Sequence, residues 1–200
     1  FEEVYVMPAS SDAGTSLGAA LYVSHVLGYE KPKTHPLVDT LGPHFSEEEI
    51  ERVLKVSGCA YTRPDDLPGS VASHLSSGRI VGWFQGRAEF GPRALGARSI
   101  LADPRPATMK DTLNARVKFR EWFRPFAPAV LADRCGELFE RDHASPFMLE
   151  VMQTRADRLE DVAAGTHVDG GARVQTVTEE SNPLYHAVIS AFAEQTGVPA

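Results

Sequence analysis

Apolar residues recur at helical spacing in some stretches of the chain and form short runs typical of strands in others, which predicts an α/β fold. Residues 15–28 predict a helix that is closed by Gly28. A second helix is predicted after Ser46, because Ser46 and Glu49 have the spacing of a capping box. Apolar runs at residues 78–86 and 126–132 predict strands, so helices and strands alternate along the chain.

Further helices are predicted at residues 70–78, 108–118 and 183–197, with Thr108 and Asn182 as N-caps. The helix from Thr108 would deliver Lys118 at its carboxyl end. Residues 133–165 predict little beyond charged helices and loops.

The carboxyl-terminal third contains a second strand signal. Gly170-Gly171 predicts a turn, and the β-branched run at residues 173–178 predicts one continuous strand. Because side chains alternate along a strand, Arg173 and Gln175 would project from the same face.

The amino-terminal end combines a predicted strand at residues 1–6, a Ser-Asp-x-Gly turn and the helix that ends at Gly28. This arrangement can present backbone N–H groups to a phosphate. In most such turns, however, the aspartate, here Asp12, simply caps the helix. The turn alone therefore leaves both interpretations open.

Composition excludes several classes of protein. A hydrophobic content of 42% in 200 residues is enough for a sizeable core. Two cysteines, Cys59 and Cys135, are too few for a disulfide framework, so we expect reduced thiols in a cytoplasmic protein. No apolar run reaches the ~20 residues that span a bilayer, so no membrane partner is expected. The abrupt ends of the chain indicate an excerpt of a longer protein.

Positive charge is concentrated in one segment of an acidic chain. Residues 79–124 carry ten of the twenty Lys and Arg residues and four acids, a formal charge of +6 in a chain of net charge −7. The rest of the chain therefore carries −13, and the segment is expected to bind an anion. A solvated surface with arginines beside aromatic residues is the structural alternative.

The type of cation favours phosphate. Arg93 and Arg98 lie in the glycine-containing stretch GPRALGARS, where backbone N–H groups can approach a ligand and each guanidinium can bind two oxygens. Lys118 and Arg124 follow among aromatic residues in VKFREWFRPF. These aromatics are expected to wall a dry pocket that strengthens each charge interaction.

The sequences of two stretches, GRAEFGPRALGARSILADPR and VKFREWFRPFAPAVL, closely resemble the carboxyl-terminal domain of the carbamoyltransferases that modify antibiotics and nodulation factors. The resemblance implies a YrdC-like twisted open sheet with helices, preceded by the last strand-helix unit of an actin-like ATPase domain. It implies three segments: residues 1–30 from the actin-like transfer domain, residues 31–69 as linker and capping helix, and residues 70–200 as a YrdC-like domain truncated at its carboxyl end.

The resemblance also implies a reaction. An enzyme of this family makes carbamoyl-adenylate from ATP and carbamoyl phosphate, with Mg²⁺, and transfers the carbamoyl group to a hydroxyl group of a small-molecule acceptor. The transfer domain would hold Fe²⁺ or another divalent metal. The acceptor, the metal and the oligomeric state stay open, with a homodimer as one expectation.

Residue roles follow from the same resemblance. Four residues are expected to bind the reacting phosphates: Lys118, Arg93, Arg124 and Arg173. Four more are expected to contact the nucleotide: Arg98, Ser99, Gln175 and Gly14. Asp12 is expected to be a metal ligand, although the histidines that would complete its site lie outside this chain.

Two alternatives remain from the residues themselves. Arginines beside aromatics suit single-stranded nucleic acid, but the acidity outside residues 79–124 argues against it, so we expect no nucleic-acid partner. A regulatory domain that binds nucleotide without turnover is the other alternative.

Overall fold

The computed structural model of the chain describes residues 6–29 and 40–200. The chain forms two compact units. Unit 1 comprises Phe1–Cys59 and Phe84–Arg98, and unit 2 comprises Ala60–Trp83 and Ser99–Ala200. The boundaries expected at residues 30 and 69 stay predictions.

Two helices in unit 1 confirm the sequence signals that predicted them. Helix α1 (Asp12–Val26) is followed by Gly28, whose φ of 76° is the left-handed conformation of a C′ glycine. Helix α2 (Glu47–Val56) begins with the predicted capping box, in which Ser46 N donates to Glu49 Oε2 at 2.8 Å and Glu49 N donates to Ser46 Oγ at 3.2 Å. The strand expected at residues 1–6 falls almost entirely outside the described residues.

Unit 2 alternates helices with short strands. Its helices and strands, in chain order, are α3 (Leu67–Ser76), β1 (Val81–Phe84), β2 (Arg98–Leu101), α4 (Thr108–Leu113), a π-helix (Asn114–Lys118), β3 (Ala129–Leu131), α5 (Cys135–Leu138), β4 (Val151–Gln153), β5 (Gly171–Arg173), β6 (Gln175–Val177) and α6 (Pro183–Thr196), with 3₁₀ turns at Ala132–Arg134 and Ala156–Val162. The chain passes from unit 2 to unit 1 at the end of β1, and it returns to unit 2 at the start of β2.

The strands of the described residues pair into three two-stranded sheets. Strand β1 pairs with β2, β3 runs parallel to β6, and β4 runs antiparallel to β5. In register, Ala129 lies opposite Gln175 and Val151 lies opposite Arg173. Mixed helix and strand content with open sheets confirms the predicted fold class.

The prediction of one continuous strand at residues 173–178 is wrong. Strands β5 and β6 are separate: they meet at Val174 and pair with different strands. Ser145 holds this junction from the side. Its buried Oγ donates to Val174 O at 3.0 Å, its N donates to Thr176 Oγ1 at 2.8 Å, and its O accepts from Thr176 N at 3.0 Å. Side-chain alternation is therefore interrupted between Arg173 and Gln175, and their shared face stays a prediction.

Helix starts differ from the prediction in three places. Helix α1 begins at Asp12 and not at Thr15, so the end of the predicted turn is helical. Helix α3 begins at Leu67 and not at Ser70, because the Asp66 side chain accepts from Gly69 N at 3.0 Å and Pro68 occupies the first turn. Thr108 is the first residue of α4 and not its N-cap; Ala107 occupies the N-cap position, which has no side-chain cap hydrogen bond. Strands β2 and β4 were not predicted.

The core of unit 2 forms where α3 packs against α6, and α6 also packs against β3. Helix α6 has its predicted start, since Asn182 Oδ1 accepts from Tyr185 N at 3.2 Å, and its predicted stop at Gly197, whose φ is 80°. Fully buried members of the core include Phe139, Phe192, Val130, Met152 and Val188. Among the described residues no helix is long and apolar enough to cross a membrane.

We expect the two thiols to differ strongly in reactivity. Cys135 is fully buried, and burial raises the pKa of its thiol to about 11, whereas Cys59 is exposed. Because the thiolate is the reactive form, Cys59 and not Cys135 should react with iodoacetamide in the native protein at pH 8. Peptide mass spectrometry checks the site, and unfolding in guanidinium should release the second thiol. Rapid labelling of native Cys135 would contradict its burial.

Candidate anion-binding site

The expected site residues divide between the two units. Unit 2 contains Ser99, Lys118, Arg124, Arg173 and Gln175, and unit 1 contains Asp12, Gly14, Arg93 and Arg98. Ser99 lies in β2, half-buried, beside the end of the glycine-containing stretch. The other residues of unit 2 lie on one loop and on the junction between β5 and β6.

Lys118 ends the π-helix that continues α4. The next residue, Phe119, has φ 48° and ψ 52°, so the chain turns sharply in the left-handed region directly after the lysine. Lys118 is exposed, and its ammonium makes no hydrogen bond or ion pair with any described residue. The prediction that a helix delivers Lys118 is confirmed, with a final π-turn where an α-turn was expected.

Arg124 lies six residues further along the same loop. Its guanidinium is 3.7 Å from the Glu121 carboxylate, with 54% and 60% of the two side chains exposed. A pair this exposed contributes little, about 0–1 kcal/mol, so an anionic ligand can displace Glu121 at small cost. Lys118 and Arg124 are thus two exposed cations on one short loop.

The strand junction adjoins the end of this loop. Gln175 N donates to Pro128 O at 2.9 Å, which ties the start of β6 to the residue just before β3. Gln175 is 6% exposed, and Arg173, two residues earlier at the end of β5, is half-buried. This hydrogen bond holds the start of β6, two residues after Arg173, at Pro128, which follows Arg124 by four residues.

The aromatic residues of the loop do not form a dry wall in the described part of the chain. Phe119, Trp122 and Phe123 are 83%, 71% and 63% exposed, and the Trp122 and Phe123 rings meet edge to face at a centroid distance of 6.0 Å. Only Phe126 is half-buried, under the Arg120 guanidinium. Phe119, Trp122 and Phe123 therefore do not form the dry pocket that was expected around Lys118.

Not every cation in residues 79–124 is available to bind a ligand. Arg105 forms a bidentate pair with Asp103, which is 3% exposed, and the pKa of Arg105 is raised chiefly by this hydrogen bond. Arg105 therefore neutralises a buried carboxylate. The cluster that looked uniform in sequence contains structural arginines as well as free cations.

In unit 1, backbone N–H groups of the glycine-containing stretch, which the sequence predicted to approach a phosphate ligand, gather around a different anion. The anion is a carboxylate of the chain itself: Glu89 Oε1 accepts from the N–H groups of Leu95, Ala97 and Arg98 at 2.7, 2.8 and 3.2 Å. Gly96, with φ 102°, permits the turn that aims these donors inward. The carboxylate fixes the loop, and Arg93 at its tip stays exposed without a described hydrogen-bond partner.

Arg98, near the end of the same stretch, connects it to the residues that follow β1. Its Nη1 donates to Gln85 O at 2.7 Å and its Nη2 donates to Gly86 O at 3.1 Å, while the guanidinium carbon lies 3.5 Å from the centroid of the Phe84 ring. These contacts close the ends of the 84–98 segment. The expected role of Arg98 in binding ATP stays a prediction beside this observed structural one.

The first turn of helix α1, which contains Asp12 and Gly14, packs closely against the residues before it. A Cβ on Gly14 would overlap the Ala9 carbonyl oxygen, and a Cβ on Gly91 would lie 3.3 Å from Ala9, so buried Ala9 sits between the start of α1 and the glycine-containing stretch. Asp12 is exposed in the first turn of α1. Within residues 6–29 and 40–200, no three His, Cys, Asp or Glu side chains cluster to hold a metal.

Sequence reasoning missed two residues that shape the site, Glu89 and Asn114. Asn114 is 1% exposed and continues the buried side of α4, formed by Met109 and Leu113. A polar residue on an apolar helix face was the available signal, because a buried amide must have hydrogen-bond partners. Glu89 gave no such signal, since its partners are backbone groups six to nine residues away.

Comparisons with known proteins agree on one family. Residues 72–200 match the family described as "Carbamoyltransferase C-terminus". The chain is 46% identical over 205 residues to nodulation protein NolNO of Sinorhizobium fredii, covering 100% of this chain and 30% of that protein. It is 37% identical over 209 residues to 3'-hydroxymethylcephem-O-carbamoyltransferase of Streptomyces clavuligerus, covering 99% and 36%. The chain spans about a third of the length of the curated relatives it matches.

Proposed function

The chain belongs to the carbamoyltransferase family, and from this premise we propose that it takes part in ATP-dependent O-carbamoylation. Residues 70–200 form carbamoyl-adenylate from ATP and carbamoyl phosphate, and a hydroxyl-bearing small molecule then receives the carbamoyl group. The 3'-hydroxymethylcephem-O-carbamoyltransferase relative is named for carbamoylation of a hydroxymethyl group, which supports a hydroxyl acceptor. The acceptor of this protein is not specified by these residues.

The observation that carries the proposal is the pair of exposed cations on one loop. Lys118 has no partner among the described residues, and Arg124 has only an exposed, long ion pair. Charges held this way are available for phosphate oxygens, whereas Arg105 is already neutralised by a buried acid. The residues therefore fit an anionic substrate such as ATP or carbamoyl phosphate.

In the proposed reaction, water first hydrolyses carbamoyl phosphate: the bond between the carbamoyl group and phosphate breaks, and carbamate and inorganic phosphate form. A carbamate oxygen attacks the α-phosphorus of ATP, the bond from that phosphorus to the bridging oxygen breaks, and pyrophosphate leaves. The acceptor hydroxyl then attacks the carbonyl carbon, its proton is lost to solvent, and AMP leaves. Lys118, Arg93, Arg124 and Arg173 supply positive charge to the phosphates, so no side-chain nucleophile is required.

Metals and nucleotide contacts complete the proposal. Mg²⁺ would be held largely by substrate oxygens, which is its usual mode in phosphoryl-transfer sites. Arg98, Ser99, Gln175 and Gly14 are proposed to contact the nucleotide, and Asp12 to contribute one carboxylate ligand to the metal, Fe²⁺ or another divalent ion, of the transfer reaction. A single carboxylate suits such a role only when other parts of the protein provide the remaining ligands.

Carbamoyl-adenylate itself is the product that tests this function. The full-length protein, given ATP, Mg²⁺ and carbamoyl phosphate without acceptor, should accumulate a product with the mass of carbamoyl-adenylate and release pyrophosphate. Omitting carbamoyl phosphate should abolish both signals. Transfer to an acceptor without any adenylate or pyrophosphate would contradict the proposed mechanism, and binding of ATP without turnover would favour a regulatory nucleotide-binding role.

A further inference from the structure

Asn114 lies at the centre of a hydrogen-bonded clamp inside the loop that carries the two exposed cations. Its Nδ2 donates to Trp122 O at 3.2 Å and to Arg124 O at 2.9 Å, and its Oδ1 accepts from Arg120 Nε at 2.7 Å. The side chain is thus satisfied on both donors and on its acceptor. An amide bonded on all sides in a site 1% exposed has one orientation only.

Arg120 is the second half of the clamp. Besides Asn114, it donates from Nη2 to Pro125 O at 3.1 Å, and its guanidinium carbon lies 4.5 Å from the centroid of the Phe126 ring. Its pKa is lowered by burial first and by the nearby Arg124 charge second. Of the cations on this loop, Arg120 is therefore turned inward toward backbone and ring, while Lys118 and Arg124 stay exposed.

The clamp holds an unfavourable backbone in place. The π-helix is closed by the Phe119 N–H on Asn114 O, and Arg120 N donates to the same oxygen at 3.1 Å. Phe119 itself is a left-handed, non-glycine residue, a strained conformation that persists only where surrounding contacts impose it. Asn114 thus bonds the chain on both sides of the reversal between Lys118 and Arg124.

We propose that Asn114 and Arg120 are positioning residues that set the distance and direction between Lys118 and Arg124; this inference rests on the proposed function. Neither side chain contacts substrate. Asn114 fixes the backbone at Arg124 directly, and it fixes Lys118 through the π-turn. A displacement of about 1 Å at a reacting centre can lower a rate about a hundredfold, so loss of the clamp is expected to affect turnover more than folding.

The test compares three variants of the full-length protein with the unmodified protein. Asn114→Ala and Arg120→Lys should each lower kcat for pyrophosphate release at least about tenfold, because a lysine keeps the charge but cannot bond Asn114 and Pro125 together. Arg116→Ala is the matched control: Arg116 is an exposed cation of the same π-helix without a described partner, and its removal should leave kcat within twofold. Thermal unfolding and circular dichroism verify that each variant is folded.

A double-mutant cycle separates positioning from a general structural role. If Asn114 acts through Lys118, then Asn114→Ala added to Lys118→Ala should lower the rate little further, since the cation that it positions is gone. Additive losses would overturn the proposal, as would wild-type kcat in both single variants. Loss of the folded state in both single variants would also overturn it, because the pair would then be structural.

The proposed function and this inference fail in distinguishable ways. If the unmodified protein makes no carbamoyl-adenylate and isothermal titration shows no binding of MgATP, the function fails. If the unmodified protein is active and the variants match it in both kcat and MgATP affinity, only the positioning role of Asn114 and Arg120 is disproved.

Discussion

Replacing Lys118 with alanine is expected to lower the rate of carbamoyl-adenylate formation about a hundredfold while leaving the fold intact. Removing one preorganised donor to developing charge costs on the order of 3 kcal/mol in the transition state. By contrast, an exposed lysine at a helix end contributes only ~0.3–1 kcal/mol to stability. Lys118 is exposed and makes no described hydrogen bond, so the folded state has little to lose.

Arginine should not rescue the reaction at this position, because a planar guanidinium cannot take the place of a compact ammonium. The measurement is pyrophosphate release by the full-length protein at saturating ATP and carbamoyl phosphate. Lys110→Ala provides the control, since Lys110 is a lysine of α4, also without a described partner. A Lys118→Ala protein within threefold of the unmodified one would remove Lys118 from the site.

Arg173→Ala is expected to abolish most adenylate formation, with a loss of at least about tenfold. A hydrogen bond to a charged group contributes about 1.5–3 kcal/mol, and each 1.36 kcal/mol of barrier is tenfold in rate. Arg173 lies at the end of β5, beside the junction that Ser145 holds and that Gln175 ties to Pro128. This anchoring places its backbone near the end of the loop with the exposed cations.

The control for Arg173 is Arg155→Ala, which removes an arginine 47% exposed whose only described charge partner is Asp157, 3.4 Å away. A surface arginine of this kind is expected to change stability by no more than about 0.5 kcal/mol and to leave the rate unchanged. Urea unfolding of both variants separates loss of stability from loss of rate. Near-normal turnover by folded Arg173→Ala protein would refute its contact with substrate.

Local signals in the sequence located most element boundaries that depend on neighbouring residues. The capping box at Ser46 and Glu49, the Asn182 cap and the glycine stops at 28 and 197 all stand where they were predicted. Each of these involves hydrogen bonds over three or four residues, so the information lies in a short window of sequence. The start of α3 was misplaced because Asp66 was not recognised as its cap.

Longer-range pairing was not available from local patterns. Strand β4 consists of three residues in a charged region, and it is a strand because β5 lies against it. The break at Val174 arises because β5 and β6 find partners in different parts of unit 2. A strand this short has almost no period of its own, so its existence depends on residues far away in sequence.

The sequence by itself determined the family, the α/β class and the concentration of positive charge in residues 79–124, because these follow from residue type and order. Only the tertiary structure decided which of those cations are free. Arg105 and Arg120 are held by Asp103 and Asn114, whereas Lys118 and Arg93 have no described partner. The reason is physical: whether a charge is neutralised depends on groups within a few ångströms in space, and chain reversals at Phe119 and Gly96 bring those groups together.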